Sequence, residues 1–264
     1  MRVRLASLAA LAGLAVAAST AQAEFRIIVD VTAEIGGQAY PFTLPEIIID
    51  DGSTTATWEF TDPVYFGEAE WANIDGGNGV MTDGRAALNG LSFNLVADPI
   101  VNASFNVAAG FMNTTFTINS AVVSFGDPDI TVGRAAAAIT FTDSLSFGTP
   151  GQIAFAGLLG PGNDHAFTAR YNGTTLFNDG VLLPGGIFSV TPGSTHVIDD
   201  QSSPGFEFLP LGGTATSINS QFKFSLSAFD RAAGTSTFEV IPTPGSLALL
   251  GLGAVVTLRR RRSA

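Results

Sequence analysis

Oxygen-bearing side chains are concentrated in a glycine-rich stretch between residues 71 and 84, where Asp75, Asn78 and Asp83 stand close together in the chain. Calcium takes about six to eight oxygen ligands, so these three residues predict a calcium site. The stretch lacks the D-x-[DN]-x-[DN]-G spacing and the closing Glu of an EF-hand. Asp and Asn in turns are also favoured by local backbone hydrogen bonds, so an ordinary turn fits the same residues.

Carboxylate pairs for glycoside hydrolysis can also be drawn from the first third of the chain. The candidates are Glu46, Asp50, Glu59, Glu68 and Glu70. Such enzymes need two carboxylates about 5 to 9.5 Å apart in a cleft, and a sequence does not supply that distance. A glycan-acting enzyme is therefore the third of three functional hypotheses.

Aromatic residues cluster in the same third, as a sugar-stacking platform would require. They are Tyr40, Trp58, Tyr65 and Trp71. Trp58 shares a strand face with Phe60, which favours packing in the core. We expect a carbohydrate-binding module to expose Tyr65 or Trp71 on a sheet face or rim.

Other catalytic residue types are scarce. His165 and His196 are the two histidines, and the chain has no cysteine. A multi-histidine zinc site and a thiol nucleophile are excluded within one chain. No G-x-S-x-G motif, P-loop or dinucleotide fingerprint is present. We expect no enzymatic activity and no cofactor, with calcium as the open exception.

The elements that must position these residues are β-strands, because apolar residues recur with period two. In Ile100 to Val107 the apolar residues alternate with Asn and Ser, and Gln221 to Phe229 alternates in the same way. Clusters of Gly, Pro, Asp and Asn separate such runs. About a dozen or more strands predict an all-β fold, a β-sandwich of jelly-roll type, over residues 24–240 as one domain.

Between Thr114 and Phe125 the apolar phase changes from even to odd positions. A slip of one residue moves every side chain to the other face of a sheet. A β-bulge near Asn119 to Ala121, or a strand that switches sheets there, would reconcile the two phases.

Charge excludes one class of partner. Residues 24–242 hold all 23 acidic residues against six of the 12 basic ones, a net charge of −17. Such a surface repels phosphate backbones, so we expect no nucleic-acid binding.

Residues 1–23 have the pattern of a secretory signal peptide. Basic residues open the segment, an apolar run follows, and Ala21-Gln22-Ala23 offers a small-x-small cleavage site after Ala23. We expect a signal helix that is removed on export.

Residues 241–264 combine prolines, a short apolar run and a basic end. Pro242, Thr243, Pro244 and Gly245 precede 13 mostly apolar residues from Ser246 to Leu258, and Arg259, Arg260, Arg261 and Arg262 follow. As a helix the run is about 20 Å long, short of a hydrocarbon core of about 30 Å. Arginines behind an apolar run act as a stop-transfer element.

This tail resembles the C-terminal PEP-CTERM sorting signal of exported bacterial proteins. The resemblance covers about 24 residues and departs from the family motif at Thr243, where the family has Glu. It implies recognition by an exosortase, a membrane protease that cuts near the proline motif. Members are typically secreted proteins of biofilm-forming bacteria.

We therefore expect an exported protein, at the cell surface or in the extracellular matrix, with a structural or adhesive role and exopolysaccharide as a partner. The membrane would hold its C-terminal helix until processing. The alternative is a carbohydrate-binding module, assisted by calcium.

Overall fold

A computed structural model describes 13 segments of the chain, and residues between and beyond them are left undescribed. The segments are 24–49, 52–67, 69–72, 80–83, 86–97, 99–125, 130–143, 152–159, 165–177, 181–184, 186–189, 195–201 and 207–242. Within them the regular structure is β-strand, in two large antiparallel sheets that form a β-sandwich and one small hairpin. The all-β prediction is confirmed, while the finer jelly-roll connectivity stays a prediction.

The larger sheet has 12 strands. They are β1 (Glu24–Ile27), β2 (Asp30–Ile35), β3 (Gln38–Thr43), β4 (Ile47–Ile49), β11 (Thr114–Asn119), β12 (Val122–Ser124), β14 (Gln152–Gly157), β15 (His165–Tyr171), β16 (Thr175–Leu176), β17 (Val181–Pro184), β18 (Gly186–Ser189) and β21 (Ser217–Leu226). The long strand β21 is central, since β11 and β12 pair with it and so do β14 and β15.

The smaller sheet has eight strands. They are β5 (Thr55–Phe60), β6 (Val64–Phe66), β9 (Ala86–Val96), β10 (Ile100–Ala108), β13 (Ile130–Thr142), β19 (Thr195–Gln201), β20 (Leu209–Ala215) and β22 (Arg231–Pro242). Their order is β19-β13-β22-β10-β9-β5, with β20 beside β13 and β6 beside β9. The separate hairpin pairs β7 (Ala69–Ala72) with β8 (Val80–Asp83).

The core lies between the two sheets, where the alternating apolar residues point. The predicted inward sets are buried, among them Leu91, Phe93 and Leu95 of β9 and Phe222 and Phe224 of β21. Phe105 of β10 bridges the sheets, with its ring centroid 4.9 Å from that of Phe222 and 5.7 Å from that of Phe224. Burial of these rings supplies the main driving force for the sandwich.

The predicted phase change is a β-bulge. Asn119 of β11 lies opposite Gln221 of β21, and Val123 of β12 lies opposite Ile218 of β21. The segment that joins β11 to β12 therefore has one residue more between these pairs than β21 has. Both strands stay on β21, which excludes the alternative of a strand switching sheets. The Ser120 hydroxyl accepts a hydrogen bond from the Ser220 amide at 2.7 Å, so the extra residue leaves that buried amide satisfied.

In the segments described, no helix is long and apolar enough to cross a membrane. The predicted signal helix at residues 1–23 and the apolar helix at 246–258 lie outside those segments. The last described residue is Pro242, which ends β22 opposite Ile130.

Candidate functional site

On four strands of the eight-stranded sheet, the outward side chains are mostly small or polar, because each strand alternates between core and solvent. We call this surface the outer face, and define it by three cross-strand rows running from β9 through β10 and β22 to β13. The rows are Asn94, Asn102, Thr237, Ala136; Ser92, Ser104, Thr235, Ala138; and Gly90, Asn106, Ala233, Thr140. Three strand spacings make each row about 14 Å long.

Hydrogen bonds between neighbouring strands hold the outer face in place. The Ser92 and Ser104 hydroxyls lie 2.7 Å apart, and the Thr237 hydroxyl donates to Asn102 Oδ1 at 2.8 Å. Asn94, Asn106 and Thr235 remain exposed. Ser92, Ser104, Asn102 and Thr237 are thus held in place by one another. The groups that the face offers to a ligand are the exposed side chains of Asn94, Asn106 and Thr235.

Tyr65 stands at the rim of this face on β6, and 60% of its surface is exposed. It lies opposite Ala87 of β9, which in turn lies opposite Ala108 of β10, and Ala108 lies opposite Arg231 of β22. This row, which we call the Tyr65 row, has an aromatic ring at one end, an exposed cation at the other and two alanines between. Ala87 is buried and Ala108 is half-buried, so a ligand at this row would contact chiefly the exposed ring of Tyr65.

The other three candidate aromatic residues are not exposed as Tyr65 is, or their side chains are not described. Trp58 stacks on Phe60 at 6.2 Å and on Phe93 at 5.7 Å, measured between ring centroids, so it packs against the core as predicted but stays half-buried. Tyr40 is half-buried against the core. Trp71 lies in β7 opposite Met81, and its side chain is outside the described part of the structure.

One ion pair neutralises charge on the outer face. Arg134 of β13 contacts Oε2 of Glu239 of β22 through Nε at 2.7 Å and through Nη2 at 2.6 Å, so both nitrogens share one carboxylate oxygen. The guanidinium lies 4.6 Å from the ring centroid of Phe208. Glu239 is therefore engaged and is not a free carboxylate for catalysis.

The twelve-stranded sheet carries a different polar surface, on which the side chains bind one another. Arg170 Nη2 donates to Gln221 Oε1 at 2.7 Å, Gln221 Nε2 donates to Asn119 Oδ1 at 2.7 Å, and Asn119 Nδ2 donates to Asp30 Oδ2 at 2.9 Å. Burial lowers the pKa of the Arg170 guanidinium. These side chains bond one another across four strands, although Arg170 Nε is buried without a hydrogen-bond partner among the described residues.

The predicted calcium residues stay untested. Asp75 and Asn78 lie outside the described residues, and Asp83 ends β8 opposite Ala69 with its side chain undescribed. Among the described residues no group of three or more His, Asp or Glu is placed to hold a metal ion.

The candidate catalytic residues are dispersed. Glu46 is paired with Arg26 at 2.6 Å, and Glu59 faces solvent on β5 opposite Ser92. Asp50 and Glu68 lie outside the described residues, as does the side chain of Glu70. His165 is buried at the start of β15, and His196 is half-buried opposite Phe141 on β13.

The predicted processing residues fall almost entirely outside the described segments. These are Ala21 and Ala23 of the cleavage site, Thr243, Pro244 and Gly245 of the proline motif, and Arg259 to Arg262. Pro242 is placed, at the end of β22.

Sequence reasoning found the polar alternation of β10 but missed the outer face as a unit, and it missed Arg231. The rows join residues far apart in the chain, such as Asn102 and Thr237, which are 135 positions apart. Only the strand order shows that they are neighbours.

No family model and no curated protein matches the sequence. Among solved structures, the chain is similar to the enzymatically active domain of tailspike protein 4 of bacteriophage CBA120, with a TM-score of 0.23, 8% identity and coverage of 72% of this chain and 20% of the tailspike chain. It is also similar to a structure of infectious bursal disease virus Gx strain, with a TM-score of 0.22 and 12% identity. The match covers 92% of this chain and 73% of the viral chain.

A third similar structure is of carbohydrate-binding modules from the β-sandwich superfamily, with a TM-score of 0.19, 8% identity and coverage of 81% of this chain and 84% of that chain. Similarity at this level concerns coarse architecture and assigns no ligand or activity.

Proposed function

We propose that this chain is an exported, surface-associated or matrix-associated β-sandwich protein with an adhesive role and no enzymatic activity, and that it adheres by binding polysaccharide on its outer face. The signal-peptide pattern of residues 1–23 supports export. The proline motif, apolar run and arginines of residues 242–262 support sorting through the membrane by an exosortase-type protease.

The observation that carries the binding proposal is the outer face with Tyr65 at its rim. Polysaccharides present rows of hydroxyl groups and flat apolar ring faces. The Asn, Ser and Thr side chains of the rows can exchange hydrogen bonds with the hydroxyls, and the exposed ring of Tyr65 can stack on a sugar ring. Rows about 14 Å long across four strands can contact several units of an extended chain, whereas hydrolysis requires two free carboxylates in a cleft.

Charge favours a neutral polysaccharide over a strongly anionic one. The net charge of −17 over residues 24–242 repels polyanions at long range. Arg231, exposed at the far end of the Tyr65 row, supplies a single local cation and does not reverse that balance.

The test is binding of the full-length chain, purified in mild detergent, to an array of neutral and acidic polysaccharides. Tyr65→Ala removes a ring that is 60% exposed, so we expect binding about three- to tenfold weaker with little change in stability. Thr235→Arg places a bulky side chain in the middle row and should abolish binding.

The matched control is Met112→Ala, which removes a side chain that is 48% exposed on a loop outside the outer face. It should bind as the parent does. If no polysaccharide binds, or if Tyr65→Ala and Thr235→Arg bind as tightly as Met112→Ala, the proposal fails. Repeating the measurement with a calcium chelator tests the calcium-assisted alternative, because a loss of binding would show that a divalent cation is needed; loss of the same calcium dependence in Asp75→Asn would then place that cation at the predicted residues.

A further inference from the structure

The first and last described residues, Glu24 and Pro242, lie at the same end of the sandwich, although they belong to different sheets. Glu24 begins β1 and lies opposite Ser124, and β12 carries on to Ser217 at the start of β21, which lies opposite Ser124 in turn. Pro242 ends β22 opposite the first residue of β13, and that residue also lies opposite Ala215, which ends β20. One residue separates Ala215 from Ser217, so the two sheets meet here. We call this the anchor end of the sandwich.

Two exposed segments at the anchor end consist of uncharged residues. They are the turn that follows β15 and the last part of β20, and hydrogen bonds join them. Asn172 Nδ2 donates to Thr214 O at 2.8 Å, and Asn172 Oδ1 accepts from the Thr216 amide at 2.8 Å. The exposed residues are Asn172, Gly173, Thr174, Gly212, Gly213, Thr214 and Thr216. Together they offer hydroxyl and amide groups without a charge.

The Tyr65 row lies at the opposite end of the sandwich. β22 has 12 residues, from Arg231 in that row to Pro242 at the anchor end. At about 3.3 Å per residue the two ends of this strand lie about 36 Å apart. A segment that leaves the sandwich at the anchor end therefore leaves from the side farthest from Tyr65.

The predicted tail starts directly at the anchor end. Thr243 to Gly245 form a three-residue tether between Pro242 and the apolar run that begins at Ser246, and this tether reaches at most about 14 Å. Proline fixes its own φ and favours an extended residue before it, so Pro242 and Pro244 predict a tether that continues along the axis of β22. The predicted apolar helix of about 20 Å is shorter than a hydrocarbon core of about 30 Å. Whether the bilayer thins or the tether is drawn inward, Pro242 comes to lie at the headgroup layer.

We propose that, while the tail is held in a membrane, the sandwich stands end-on on the bilayer, with the anchor end against zwitterionic lipid headgroups and the Tyr65 row about 36 Å farther out. The predicted signal peptide ends at Ala23, directly before Glu24, so until its removal it leaves from the same end. This inference rests on the membrane-held tail of the proposed function and does not depend on polysaccharide binding.

Charge favours zwitterionic over anionic lipid as the partner of the anchor end. Residues 24–242 carry a net charge of −17, which anionic lipid repels. The exposed hydroxyl and amide groups of the anchor end can donate hydrogen bonds to the phosphate and carbonyl oxygens of a zwitterionic headgroup. In this orientation the rows of the outer face run parallel to the bilayer, and the Tyr65 row is the one farthest from it.

Fluorescence quenching in vesicles tests which end of the sandwich is near the bilayer. The chain has no cysteine, so a single cysteine can carry the label. Gly213→Cys places the label at the anchor end, where an added Cβ meets no atom within 4 Å. Met112→Cys, the matched control, places it on the exposed loop between β10 and β11, at the opposite end. Each full-length variant is reconstituted in phosphatidylcholine vesicles that contain a lipid with a quencher on its headgroup.

We expect both variants to float with the vesicles. Quenching of the label at Gly213 should be at least about threefold stronger than quenching of the label at Met112, because the two ends differ in height by about 36 Å and the quencher acts over a short distance.

Equal quenching at the two positions would overturn the proposal, because the sandwich would then lie on its side, and so would stronger quenching at Met112. Weak quenching at both positions in chains that float would show that the anchor end does not touch the headgroups, and it would equally overturn the proposal. If neither variant floats, the membrane-held tail of the proposed function fails together with this inference. If the chains float in another orientation, only this inference fails.

Discussion

Gly234 of β22 gives the sharpest test of how the two sheets pack. It lies opposite Phe105 of β10 and faces the core. A methyl group added at Gly234 would place its carbon 2.3 Å from Cε1 and Cζ of the Phe105 ring. Because carbon atoms in contact lie about 3.5 to 4.0 Å apart, the ring would have to retreat by about 1.2 to 1.7 Å.

The ring has no free direction in which to retreat. It packs edge-on against Phe222, with centroids 4.9 Å apart, and stacks on Phe224, with centroids 5.7 Å apart. Overpacking of this kind costs about 1 to 3 kcal/mol. Replacing glycine returns about 0.4 to 1 kcal/mol by restricting the unfolded chain. We therefore expect Gly234→Ala to lower the free energy of unfolding by about 1 to 2 kcal/mol.

Urea denaturation of the full-length chain measures this value from the shift of the midpoint at constant slope. Gly213→Ala in β20 is the control, since a methyl group there meets no atom within 4 Å. It should change stability by less than about 0.5 kcal/mol. In a Phe105→Leu background, which removes the clashing ring atoms, Gly234→Ala should cost much less than it does alone. Equal stability of Gly234→Ala and Gly213→Ala would refute the reasoning.

Two further predictions concern a turn and the two ends of the chain. Asn172 has a φ of 51°, and its side chain donates a hydrogen bond to Thr214 O and accepts one from Thr216 N. Both Asn172→Ala and Asn172→Gly lose these bonds, but only glycine keeps the backbone conformation without strain. In urea denaturation we therefore expect Asn172→Ala to be less stable than Asn172→Gly by about 1 kcal/mol. Equal losses would show that the side-chain bonds alone matter. Mass spectrometry of the mature protein from the producing cells should find a chain that lacks both residues 1–23 and Arg259 to Arg262. A mature chain that retains all four arginines would contradict processing at the proline motif.

The sequence predicted much of the secondary structure because each strand carries its own alternation. The inward residues of β9, β10, β13 and β21 are the apolar sets that alternate in the sequence, and they are buried. The change of apolar phase between β11 and β12 was also predictable, but the sequence left a bulge and a switch between sheets as alternatives. The pairing of both strands with β21 decided for the bulge. Strand order was not predictable, because alternation shows which residues share a face and leaves the neighbouring strands unspecified.

The sequence by itself determined the all-β class, the inward residues and the acidic charge, and it carries the patterns at both ends from which export and sorting are predicted. These are local properties or sums over the chain. The tertiary structure alone decided that Trp58 packs against the core while Tyr65 is exposed, and that β4 ends the strand order of the larger sheet. It also decided which polar side chains of the outer face bond one another and which stay exposed. Each of these depends on contacts between residues far apart in the chain, and only the packing of the two sheets brings such residues together.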